Sequence, residues 1–71
     1  MDKTTVIIEA LLNEETFDED VELSPEDKKY LFGKGRDFEA EAEYYETYES
    51  NEIQAGKLYA VASKLYELGT D

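Results

Sequence analysis

Between Glu14 and Asp27 the chain carries eight carboxylates and not one cation. An ionised carboxylate without a partner is too costly to take out of water, so this stretch must lie on the surface whatever the fold. The core has to come from the segments on either side. Nineteen acidic residues against seven basic ones give a net charge of −12 over 71 residues, with neither histidine nor cysteine. That length suits one small domain, residues 1–71, with an acidic connecting segment at 14–24.

Such a charge can keep a chain unfolded. Here it is offset by 41% hydrophobic residues, six Tyr, three Phe and a single Pro, and the apolar residues fall in periodic clusters. The expectation is a folded domain. Without Cys or His, thiol nucleophiles, disulfides, Cys/His zinc sites and imidazole acid–base catalysis are excluded. The apolar run near the N-terminus is broken by Glu9 and is too short for a signal peptide or a membrane span, which implies a cytoplasmic protein with no membrane partner.

The periodicity predicts a mostly α domain of three to four helices. In residues 4–13 a helix would gather Val6, Ile7, Ala10 and Leu11 on one face, with Ile8 and Leu12 on its flank. The β-branched opening keeps an α+β alternative open, with residues 4–12 as a strand. Phe17, Val21 and Leu23 punctuate the acidic segment as anchors for a loop. Ser24-Pro25-Glu26-Asp27 reads as a helix start: a cap, a proline suited to the first turn, and acids at the positive end of the dipole.

Gly33-Lys34-Gly35 is expected to end that short helix, and a second pattern begins at Asp37, with Phe38, Ala42 and Tyr45 on one face. From Glu52 the stripe Ala55, Leu58, Val61, Ala62, Leu65 and Leu68 defines the clearest helix, flanked by Tyr59 and Tyr66 and closed by Gly69. The core is expected from Ile7, Leu11, Leu31, Phe32, Phe38, Leu58, Val61, Leu65 and Leu68.

Specific chemical motifs fail on inspection. Asp18, Asp20 and Glu22 alternate like calcium ligands, but an EF-hand counted from Asp18 would need Gly and Glu where Leu23 and Lys29 stand. Gly33-Lys34-Gly35-Arg36 matches neither a Walker loop nor a dinucleotide fingerprint. A domain this small has little room for a cleft with paired catalytic carboxylates. The expectation is a non-enzyme with no cofactor and no metal site. Direct nucleic-acid binding is disfavoured too, because the phosphate backbone repels such a chain.

The acids themselves remain. Glu39, Glu43 and Glu46 fall within a narrow helical arc, and like charges three or four residues apart destabilise a helix. Carboxylates interleaved with Tyr44, Tyr45 and Tyr48 resemble, in charge density and size, the surfaces of DNA-mimic proteins. That class includes phage and mobile-element inhibitors of restriction, CRISPR and other nucleic-acid enzymes. The resemblance implies an anti-defence inhibitor or regulator occupying the groove of a basic protein: a nuclease, polymerase, repressor or CRISPR-type effector. Its contacts would be Glu39, Glu43 and Glu46 in one row, Asp18, Glu19, Asp20 and Glu22 in a second, and Tyr44 and Tyr48 as apolar anchors. The alternative is a helical adaptor or regulatory module that binds a partner, or a second copy, through Leu58, Val61, Leu65 and the tyrosines.

Overall fold

A computed structural model describes residues 2–70 as three helices, α1 (Lys3–Leu12), α2 (Pro25–Thr47) and α3 (Glu52–Leu68), with no strand among them. Each start is written in the sequence. Asp2 caps α1 by accepting from the Thr4 amide at 3.1 Å. Ser24 and Asp27 form a reciprocal capping box at α2, each side chain accepting the other's amide at 3.1 Å. Asn51 caps α3 by accepting from the Gln54 amide at 3.1 Å.

α2 and α3 form a long antiparallel hairpin joined by a tight turn in which Ser50 takes a left-handed backbone (φ 51°). A helix of 23 residues is about 35 Å long, which accounts for nearly all of the 37 Å long axis. Leu31 and Leu65 are fully buried where the two helices meet, and α1 seals that seam with Ile7 and Ile8. Phe17, Val21 and Leu23 pin the acidic loop against the same core, as expected.

Three expectations need correction. Gly33-Lys34-Gly35 breaks nothing, so α2 is one continuous helix where two were predicted. A side chain at Gly35 would sit 3.2 Å from the Ala62 carbonyl oxygen and 3.3 Å from Leu65 Cβ. The glycine is there to let α3 approach, not to turn the chain. Second, Phe32 is exposed, its ring lying 4.7 Å from that of Tyr66 on the rim of the hairpin. Third, the buried face of α1 is rotated from the predicted one: Ile7, Ile8 and Ala10 are covered and Val6 is exposed. Leu11, Phe38 and Leu68 are only half-buried around the core.

Gly69 closes α3 as predicted, but with an ordinary φ of −87°. Its requirement is space, since a Cβ there would lie 2.7 Å from the Lys28 carbonyl oxygen and 2.9 Å from Phe32.

Candidate partner-binding surface

The continuity of α2 decides how its charges are arranged. Four of the seven cations (Lys28, Lys29, Lys34 and Arg36) lie within residues 28–36, whereas residues 37–56 hold seven carboxylates and no cation. The helix is therefore basic in its first half and acidic in its second. Its C-terminal carbonyls carry the negative end of the dipole, and no basic residue occupies the last turn. Acids there are disfavoured by the dipole as well as by one another.

Glu39, Glu43 and Glu46 are all exposed and span an arc of about 60° at 100° per residue. That arc is the edge of α2 beside α3. The Tyr66 hydroxyl donates to Glu39 Oε1 at 3.2 Å. Tyr59, half-buried one heptad earlier, feels all three carboxylates. Partial burial and then the charges of Glu46, Glu43 and Glu39 push its hydroxyl above the ordinary tyrosine range. Tyr66 is raised by burial and by Glu39, with Arg36 opposing. The first row is thus an ordered edge backed by two α3 tyrosines.

The predicted anchors lie elsewhere. Tyr44 and Tyr48 project from α2 at least about 100° from any acid of that row, and they cluster with Tyr45 and Glu49 instead. Tyr44 donates to Glu49 Oε1 at 3.2 Å, which raises the tyrosine's pKa. Tyr48 is 76% exposed and packs against the Tyr44 ring at the helix end. The residues beside the acids, Tyr59 and Tyr66, were assigned from sequence to the flank of the α3 stripe; only the hairpin register brings them to Glu39.

The second row is ordered but separate. Asp18 Oδ1 accepts from the Asp20 amide at 3.0 Å, making a local turn. Glu19 pairs with Lys64 on α3, and Lys3 donates to the Glu22 carbonyl oxygen at 2.6 Å. These lysines clasp the loop to the helices, and Glu19 holds the Lys64 pKa above its usual value. Lys64 and Tyr66 stand two residues apart on α3, about 160° around the helix. The row at Glu39 and the loop acid Glu19 therefore flank α3 on opposite sides.

Leu58, Val61 and Leu65, the binding stripe of the adaptor reading, are buried inside this chain. They are not offered to a partner. Among the described residues no group of acids is placed to hold a metal ion, and no helix is long and apolar enough to cross a membrane. Comparison with family models, curated proteins and solved structures gives no match.

Proposed function

We propose that this protein is a non-catalytic inhibitor or regulator that presents the acidic half of α2 to the nucleic-acid groove of a basic protein. One observation carries the reading. Asp37, Glu39, Glu41, Glu43 and Glu46 sit on a single unbroken helix with no intervening cation. Glu39, Glu43 and Glu46 share one edge of it, with one charge every ~5 Å along the axis at about 1.5 Å per residue. That is comparable with the ~3.4 Å axial phosphate spacing of one strand of B-DNA, while Asp37 and Glu41 lie on the far side of the helix. The edge formed by Glu39, Glu43 and Glu46 makes the primary contact, and the loop acids add long-range attraction. Such a field steers a cationic cleft onto the helix and weakens with salt.

The test is recovery of partners from a bacterial lysate at low and high salt, with wild type and the E39K/E43K/E46K variant as bait. The reading expects nucleic-acid-binding proteins released by salt, lost on charge reversal, and displaced from the bait by DNA or RNA. Partners that resist salt, or that bind the variant equally well, would overturn it.

A further inference from the structure

The outer face of α2 carries a second pattern that the intramolecular fold does not use. Tyr30, Gly33, Asp37, Ala40 and Tyr44 recur at alternating spacings of three and four and are all exposed. That is the period of a helix–helix seam. Beyond its chain neighbours and the adjacent backbone of α2, Gly33 has nothing within 4 Å of where a Cβ would stand, and the hollow over it is lined only by α2 residues. A mid-helix glycine costs about 1 kcal/mol relative to alanine. Unlike Gly35, this one gains no internal packing in return.

From this face we infer that the protein self-associates as an antiparallel α2–α2 dimer, with Tyr44 of each copy seated over Gly33 of the other. That register sets Asp37 against the small Ala40 of the second copy, which leaves room for water to keep the carboxylate solvated. A twofold axis between antiparallel helices pairs each edge with the same edge of the other copy. Lys34 and Glu41 share one edge of the seam, and Arg36 and Glu43 share the other. The register that seats Tyr44 on Gly33 brings Lys34 beside the other copy's Glu41 and Arg36 beside its Glu43.

Each pairing occurs twice by symmetry. Neither Lys34 nor Arg36 makes an ion pair within its own chain among the described residues. The segregation of charge along α2, unfavourable within one helix, becomes complementary between two. Symmetry also turns Glu39 and Glu46 of both copies to the same side of the dimer, in rows running in opposite directions. This doubled array rests on the proposed function; the dimer itself does not.

Sedimentation equilibrium of the purified protein tests the inference without a partner, so its failure would leave the proposed function standing. It is run at about 0.15 M salt, where a Debye length of ~8 Å screens the repulsion of two net-negative molecules but spares close pairs. The wild type is expected to show concentration-dependent dimer mass. K34E and E41K should each weaken association about tenfold or more, and the K34E/E41K double variant should recover it. Gly33→Leu, whose Cβ meets nothing within 4 Å in the monomer, should abolish the dimer while the circular dichroism stays helical. A monomeric wild type at every concentration, single reversals that associate as well as wild type, or a double variant no tighter than the singles would overturn the inference.

Discussion

Two glycines two residues apart in α2 offer a comparison in which helix propensity cancels. Gly33→Ala adds a methyl group in open space, whereas Gly35→Ala places one 3.2 Å from the Ala62 carbonyl oxygen and 3.3 Å from both Leu65 Cβ and Tyr66 Cδ1. Both gain about 1 kcal/mol from replacing an interior helical glycine. Only the second must push α3 away, and overpacking of this kind costs about 1–3 kcal/mol. The carbonyl oxygen and Leu65 Cβ belong to the backbone or its immediate attachment, so neither can rotate aside.

Gly33→Ala should therefore stabilise by about 1 kcal/mol, while Gly35→Ala is neutral to destabilising by about 2 kcal/mol. A chain of this length has an unfolding entropy near 0.15 kcal/mol/K, so the two variants should melt about 7–20 °C apart. Thermal melts followed by circular dichroism measure this, with both variants in a K34E background so that self-association does not enter. Equal melting temperatures would refute the claim that Gly35 lies in a tight helix–helix contact, and with it the reason given for the glycine.

Three further outcomes are expected. Ser24→Ala removes one half of the α2 capping box and should cost about 0.5–2 kcal/mol in a urea titration, within the range for lost caps. Added salt should raise the melting temperature, because a net charge of −12 repels itself. Each of the Lys3–Asp27, Lys64–Glu19 and Lys64–Glu67 pairs has at least one well-exposed partner and contributes little. Tyr44, Tyr59 and Tyr66 hold their protons more tightly folded than unfolded. Their contribution to stability is complete below the unfolded tyrosine value of about 10 and is lost as pH rises through the higher folded values. Tyrosinate absorbance should show that late ionisation in the folded state, and Glu39→Gln should move Tyr66 downward; an unmoved titration would separate Tyr66 from the acid row.

The starts of α2 and α3 were legible because a cap is a local event that needs only the next few residues, whereas the Asp2 cap of α1 went unread. The strand alternative for residues 4–12 fails for a tertiary reason. A strand would set Val6, Ile8, Ala10 and Leu12 together, whereas Ile7, Ile8 and Ala10 cover the α2–α3 seam and Val6 faces water. Gly33-Lys34-Gly35 misleads in the sequence because a glycine that breaks a helix and one that admits a neighbouring helix look alike in a single chain. What distinguishes them here is Ala62 and Leu65, nearly 30 residues further along.

The acid arc at Glu39, Glu43 and Glu46 was legible from helical spacing alone, but its tyrosine neighbours were not. Tyr44 and Tyr48 are close in sequence and point away, whereas Tyr59 and Tyr66 arrive through the hairpin register. The opposition of Glu19 to the Glu39 row has the same origin, since Lys64 draws Glu19 to the far side of α3.

The dimer seam and the basic-to-acidic polarity of α2 both require the helix to pass unbroken through Gly33 and Gly35. Amide hydrogen exchange measured residue by residue by NMR tests this most directly. Continuous slow exchange from Leu31 through Tyr45, with no gap at residues 33–37, is the expected pattern. Rapid exchange confined to residues 33–37, with protection on either side, would mean two helices joined by a hinge and would uncouple the basic half of α2, and Gly33 with it, from Tyr44 and the acidic half.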